Sequence, residues 1–335
     1  MSGYPHFRFA RAAATVSLLA LLLLSAACMR RREEPLRIAI TPWPGHEFLY
    51  LAQERGFFAE EGVSVRLVEL ESQGDSRAAF ENGAVDVFAG TLVELLVSHT
   101  QGSRHPQAFY VTDYSNGSDV LLADSTVRTI ADLRGRRIAL EAGSVDVVGV
   151  AAALASAGLT MRDVELVPMP QNEKDWAFEH SRVQAVQCFP PAAVEIASRP
   201  GVHPLFDSSR IPGLIVDVLV ADSSDLHRNP GHYAATVRAI ARAQRWASEH
   251  RAEALAVMAA REGLTPEEFA RGLDGLRLVP LTAQSAQLGP GGNVVRALRL
   301  TQDALTAAGA SEPIGASESM ESLVTARALA AEASR

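Results

Sequence analysis

The chain has 335 residues, 47% hydrophobic and 21% charged, enough for one large or two medium domains with a self-supporting core. Its formal net charge is −8, and its basic run is confined to "MRRR" at Met29–Arg32. That balance argues against nucleic acid as a partner.

Residues 1–27 read as a signal peptide. Arg8 and Arg11 precede the apolar stretch Ala12–Leu24, which is short for a bilayer-spanning helix. Small residues then lead into a cysteine in "LSAAC", Leu24–Cys28. This order resembles the lipobox of bacterial lipoproteins, in which the cysteine becomes the lipidated first residue. The alternative is ordinary cleavage after Ala27 with Cys28 incidental. Residues 28–35 form a polar, lipidated tether on the first reading. Cys188 is then the remaining thiol, so no internal disulfide supports the mature chain.

Arg37 and Arg137 open two similar segments, "RIAITPWPGHEFLYLAQERGFF" and "RIALEAGSVDVVGVAAALASAGL". Each predicts a strand (Arg37–Ile40; Arg137–Leu140), a turn containing glycine (Gly45; Gly143), and a helix ending before a second glycine (Gly62; Gly158). A second strand follows each, at Val63–Leu70 and Val164–Val167. "AAFENGAVDVFAGTLVELL" (Ala78–Leu96) and "WAFEHSRVQAVQCFPPAAVEI" (Trp176–Ile196) continue the parallel. Each predicts helix, strand (Val85–Ala89; Val183–Cys188) and helix. Strands alternating with helical patterns imply βαβ units and parallel sheets. Two such units predict two α/β lobes. Phe48, Leu51 and Ala52 share one face of the first helix, with Arg55 at its rim. Ser144 is the expected N-cap of a helix over Val145–Ala157, and Gly158 its C′ residue.

Two apolar, β-branched stretches, Tyr110–Asp124 and Ile211–Asp222, are the expected crossings between lobes. The chain then turns helical. "TPEEF" combines Thr265, Pro266 and Glu268 as a capping box with proline in the first turn. Val237, Ile240 and Ala241 share helical spacing, as do Val294, Leu298 and Leu305. The expected plan is lobe 1 over residues 36–115, lobe 2 over 116–215, and a return to lobe 1 with C-terminal helices over 216–335.

These segments resemble the substrate-binding proteins of ABC importers, specifically the nitrate/sulfonate/taurine group that also contains riboflavin and thiamine-pyrimidine binders. The resemblance rests on Trp43–Val63, Phe80–Glu94, Ala131–Ser144 and Phe206–Val220 and covers nearly all of the mature chain. It implies a periplasmic-binding-protein-like α/β fold, two lobes with parallel-rich sheets joined by two crossing strands and a helical C-terminal tail. Ligand would sit in the interlobe cleft and be captured by hinge closure. The resemblance further implies an exported, membrane-anchored lipoprotein, monomeric, carrying a small organic solute. Its partners would be an ABC permease and ATPase on separate chains, and the membrane through lipid on Cys28.

Candidate ligand contacts lie at the strand-to-helix corners, because ligands in open α/β sheets sit beyond the carboxyl ends of strands. The first corner offers Trp43, Gly45, His46 and Glu47. The next two offer Gln73 and Asp75, then Thr91 and Glu94. The crossings add Asp113, Asn116 and Asp217, and the second lobe Ser144 and Phe189. Other carboxylates nearby are Asp119, Glu141 and Asp146. Trp43 either faces the ligand or plugs a lobe, and Glu47 and Glu94 either contact ligand or serve as helix-dipole partners. Carboxylates dominate these corners, which suits an amine-bearing ligand, while free helix N-termini at His46 and Ser144 suit an oxyanion. Both an aminosulfonate and an amine-bearing heterocycle stay open. Cys188 is expected as a small buried hydrophobe.

No G-x-S-x-G elbow, H-E-x-x-H or P-loop occurs, and the nine histidines lack metal spacing. No catalytic residue, metal or cofactor is expected. The competing readings are a same-fold sensor feeding a signalling partner and an enzyme like the pyrimidine synthases of the group. Those enzymes carry a cysteine-rich motif that a lone Cys188 does not supply.

Overall fold

The computed structural model describes residues 34–309 and 319–330, so the signal peptide and Cys28 lie outside the described residues. Two sheets organise the chain. The first contains β1 (Leu36–Ile40), β2 (Val65–Glu69), β3 (Val87–Thr91), β4 (Pro106–Ser115), β10 (Val216–Asp222) and β11 (Leu276–Leu278), in the order β11-β4-β10-β3-β1-β2. The second contains β5 (Val120–Ala123), β6 (Arg137–Leu140), β7 (Glu165–Pro168), β8 (Ala185–Cys188) and β9 (His203–Asp207), in the order β7-β6-β8-β5-β9.

The repeat read from the sequence is present at the level of single hydrogen bonds. β1 lies between β2 and β3, parallel to both, and β6 lies between β7 and β8 in the same way. The Leu70 N–H donates to Ile40 O at 2.9 Å, and the Met169 N–H to Leu140 O at 2.9 Å. The Asp86 N–H donates to Arg37 O, and the Gln184 N–H to Arg137 O. Gly62 and Gly158 have φ of 80° and 69°, a left-handed conformation that a side chain would strain.

The remaining strands join the sheets. β4 ends in the first sheet at Ser115, and β5 begins in the second at Val120. The return runs from β9 to β10. β10 lies antiparallel between β3 and β4, and β5 lies antiparallel between β8 and β9. Each expected crossing stretch is thus split between two sheets or runs from a turn into a strand, because no single straight strand can serve two separate sheets. β9 and β11 are further strands, short and without sequence alternation strong enough to announce them.

Three helices begin at the carboxyl ends of strands in the first lobe: α1 (Glu47–Glu54), α2 (Gln73–Glu81) and α3 (Leu92–Gln101). Phe48, Leu51 and Ala52 of α1 are buried and Arg55 is exposed, as the spacing predicts. The helix stops earlier than Gly62, because Gly56 takes φ 74° and starts a separate turn, Phe57–Glu60. In the second lobe α4 spans Asp146–Ala155 and α5 spans Lys174–Glu179. The helix starts one residue later than expected, and the Ser144 hydroxyl still accepts from the Asp146 N–H at 3.3 Å. Val145 takes the N-cap position, and the Ser144 hydroxyl also donates to Glu141 O at 3.0 Å.

Past β10, α6 (Pro230–Glu249), α7 (Arg251–Arg261), α8 (Pro266–Asp274) and α9 (Asn293–Ala307) supply the helical region. The Thr265–Glu268 capping box forms. Val237, Ile240, Val294, Leu298 and Leu305 are buried. Gln284 ties this region to the first sheet, accepting from the Val111 N–H at 2.9 Å and donating to Val111 O at 2.7 Å.

Candidate functional site

The corners that follow β1, β2 and β3 meet those that follow β6 and β8. Trp43 packs edge-on against Phe189, with ring centroids 5.6 Å apart at 88°, and both rings are buried with Leu276. Glu141 Oε1 accepts the Gly74 N–H at 2.9 Å. Glu94 Oε1 accepts the Val145 N–H at 3.3 Å. Each of these contacts joins one lobe to the other, so the cleft is closed. A pocket of about 240 Å³ remains at its mouth, lined by Thr41, Pro42 and Ser72 on one side and Gln171, Asn172 and Phe189 on the other.

The seam between the lobes is built around buried carboxylates. Asp217 and Asp113 are register partners on β10 and β4, and Asp217 also pairs with Thr91 on β3. This ladder sets the two aspartates side by side, so that the charge of Asp113 acts on Asp217. The Trp43 indole N–H lies 3.4 Å from Asp113 Oδ2. Gly45 sits so close to that carboxylate that a Cβ there would lie 2.0 Å from Asp113 Oδ2. The tight Thr41–His46 corner is therefore a close approach of backbone to Asp113. Opposite stands Asp146, whose Oδ2 accepts the Glu141 N–H at 2.7 Å and pairs with the ammonium of fully buried Lys174. Lys174 Nζ also donates to Gln171 Oε1 at 2.7 Å, which links the pocket wall to the seam.

Burial raises most of these acids, because a charge loses water faster than its neighbours replace it. Asp113 rises to about 7 through burial. Asp119 rises to about 7 through burial and through the charges of Asp146 and Asp113. Glu141 also rises to about 7, through burial aided by Asp146 and Glu94. Asp217 is pushed well above the usual carboxylate range by burial, then by Asp113, Asp119 and Glu94. Burial raises Glu94 as well, against its hydrogen bonds with Thr91.

Not every residue expected at the ligand is brought here. Glu47 is held behind the first corner by Arg261, whose Nε donates to Oε1 at 2.7 Å and Oε2 at 2.6 Å. His46 directs Nδ1 to Thr41 O at 3.1 Å, and burial lowers it to about 4, leaving a neutral ring near Arg261. Asp75 is exposed and accepts from the Ser72 hydroxyl at 2.9 Å. Asn116 lines a separate groove with Tyr114, Arg277 and Arg296. Thr91 and Glu94 form a capping box on α3, yet Glu94 keeps its second oxygen for Val145. Ser144, Gln73 and Phe189 lie at the seam, buried. Cys188 is fully buried in the second sheet, and burial pushes its thiol up.

Lys174 and Gln171 are seam residues that sequence reasoning missed. The signal was available, because their corner after β7 is the repeat partner of the corner after β2 that carries Gln73. Among the described residues, no group of three His, Cys, Asp or Glu side chains is arranged to hold a metal ion.

A family model described as NMT1/THI5 like matches residues 43–254. Among solved structures, the alkanesulfonate-binding protein SsuA from Xanthomonas axonopodis pv. citri, bound to MOPS, is similar at 18% identity. It has a TM-score of 0.70, covering 88% of this chain and 98% of that one. The periplasmic nitrate-binding protein NrtA from Synechocystis PCC 6803 is 13% identical at a TM-score of 0.70, covering 90% and 89%. The desulfurization enzyme DSZB is 18% identical at a TM-score of 0.64, covering 89% and 99%. The periplasmic-binding-protein-like fold is common to all three. No curated relative matches the chain.

Proposed function

The chain belongs to the NMT1/THI5-like family, and from that premise we propose that it captures a small organic solute between its lobes for an ABC importer. The observation that carries this reading is the closed cleft. Side chains from both lobes meet across it, and buried polar atoms of Gln73, Asp113, Asp119, Glu141 and Asp217 are left without partners. Buried polar groups in folded proteins are completed by protein, water, an ion or a ligand, and a solute between the lobes would supply partners to all of these at once. The proposed contacts are Trp43, Gly45, Gln73, Thr91, Glu94, Asp113, Ser144, Phe189 and Asp217. The lobes divide at residues 115/116 and 215/216, so rotation about these two connections opens and closes the cleft.

Export and anchoring complete the proposal. Lipid on Cys28 holds the chain at the membrane, and multiple acyl chains hold it stably where one does not. Permease and ATPase subunits are separate chains. Catalysis is the competing reading, supported by the likeness to DSZB. Against it, the lone described thiol is sealed in the second sheet with a raised pKa, where a nucleophile needs exposure.

A thermal-shift screen of the chain from Met29 onward tests capture. A solute at a hundred times its Kd stabilises by about 2.7 kcal/mol. Turnover of a stabilising compound would refute the non-catalytic reading. Mass spectrometry of the membrane-extracted protein tests the anchor, since an unmodified Cys28 would refute it.

A further inference from the structure

The charge of the seam bears on which solute fits it. Asp113, Asp119, Glu141, Asp146 and Asp217 each bury one carboxylate oxygen without a hydrogen-bond partner. They act as one group across both lobes. Asp119 is repelled by Asp113 and Asp146, Asp217 by Asp113, Asp119 and Glu94, and Glu141 by Asp146 and Glu94. Gln73 adds a sixth acceptor. Its Oε1 is unpartnered, the residue is 3% exposed, and a Cβ on Gly90 at the end of β3 would lie 3.2 Å from that oxygen. It therefore points over the strand end next to Thr91, the register partner of Asp217.

The groups that would receive an oxyanion are already engaged. Lys174 is held by Asp146 and Gln171. Arg261, behind the first corner, is held by Glu47 and by Glu69. The N-termini of α3 and α4 are filled by the chain's own oxygens. The Val145 N–H donates to Glu94, the Asp146 N–H to Ser144 Oγ, and the Thr91 N–H to Glu94. What is left open at the seam is five carboxyl oxygens and the Gln73 amide oxygen, beside the Thr41 hydroxyl; once ionised, a buried carboxylate calls for a donor that carries the opposite charge.

We propose that the cleft takes an organic cation, a ligand presenting an ammonium, amidinium or guanidinium group, and not a free sulfonate or nitrate. This rests on the solute-capture reading and narrows it. The cation's N–H groups bridge Asp113, Asp119 and Asp217, its apolar part lies against Trp43 and Phe189, and its charge relieves the repulsion within the seam. Binding then ionises carboxyls that hold protons in the empty site, so protons leave as the cation enters. An oxyanion would bind with the opposite proton flow.

Isothermal titration calorimetry of the purified protein tests this with agmatine and benzamidine as cationic probes and methanesulfonate and nitrate as anionic ones. Titrations in two buffers of different ionisation enthalpy count the protons. The expected result is saturable binding of agmatine or benzamidine with proton release, about tenfold tighter at pH 8 than at pH 6. Asp113→Asn should weaken that binding about tenfold, since it removes charge and keeps shape. Asp119→Asn provides the same comparison if the first variant does not fold. Saturable binding of methanesulfonate or nitrate with proton uptake, tightened by either variant, overturns the cation proposal and leaves solute capture standing. A protein that binds none of the four probes overturns the cation proposal, and the thermal-shift screen then decides solute capture.

Discussion

Replacing Lys174 by methionine isolates the one ion pair that the seam buries completely. Neither Lys174 nor Asp146 exposes any side-chain surface. Methionine keeps most of the volume, so packing loss is small and the charge is the main thing removed. Asp146 would keep the Glu141 N–H at 2.7 Å but lose its counter-charge while Asp119 and Glu141 still repel it. Removing one partner of a buried pair costs about 3–5 kcal/mol, because the other charge stays desolvated. At about 2–4 °C per kcal/mol, the melting temperature should fall by about 6–20 °C. The double variant Lys174→Met with Asp146→Asn should recover most of this, since neither charge is then stranded. Urea unfolding at pH 7, followed by circular dichroism, measures both. A single-variant loss below about 1 kcal/mol, the range of an exposed pair, would refute the reasoning. So would a double variant no more stable than the single one.

Other perturbations follow from the same geometry. Gly45→Ala should destabilise by about 1–3 kcal/mol, because its Cβ would meet Asp113 Oδ2 at 2.0 Å and Trp43 Nε1 at 2.9 Å; an unchanged melting temperature would count against the close approach. Trp43→Ala should lose both solute affinity and about 3–5 kcal/mol of stability, since the ring is 3% exposed; full affinity with lost stability would make Trp43 purely structural. Glu141→Ala removes the hydrogen bond to Gly74 and should enlarge the radius of gyration in small-angle scattering, and an identical radius would mean this contact does not hold the lobes together. Raised carboxyls predict the pH dependence. Asp113, Asp119 and Glu141 titrate near 7 when folded and near 4 when unfolded. Between these values the folded state holds more protons, so stability is full below about pH 4 and falls as pH rises through about 7. Denaturant midpoints that rise over that window would contradict the burial of these acids.

Much of the fold was legible because its causes are local. The strand-to-helix corners, the buried face of α1 and the Thr265–Glu268 capping box depend on residues a few positions apart. Repetition extended that reach, since a plan visible once near Arg37 could be recognised again near Arg137. The corners that meet at the seam followed from the rule that places ligands beyond the ends of parallel strands. Gly56 was passed over, since a single left-handed residue inside an apolar periodicity leaves that periodicity intact.

The roles of individual side chains were another matter. Glu47 and Arg261 are separated by 214 positions, and nothing near Glu47 shows that its carboxylate is spoken for. Asp113 and Asp217 become neighbours only when β10 inserts between β3 and β4, and Lys174 is neutralised only because α4 and α5 bring Asp146 beside it. By itself the sequence determined most of the repeated strands and helices, their duplication and a preponderance of carboxylates at the corners, because these follow from local periodicity and composition. The tertiary structure decided which of those carboxylates are paired, which are stranded and which face away, because pairing depends on through-space distances that chain separation does not encode.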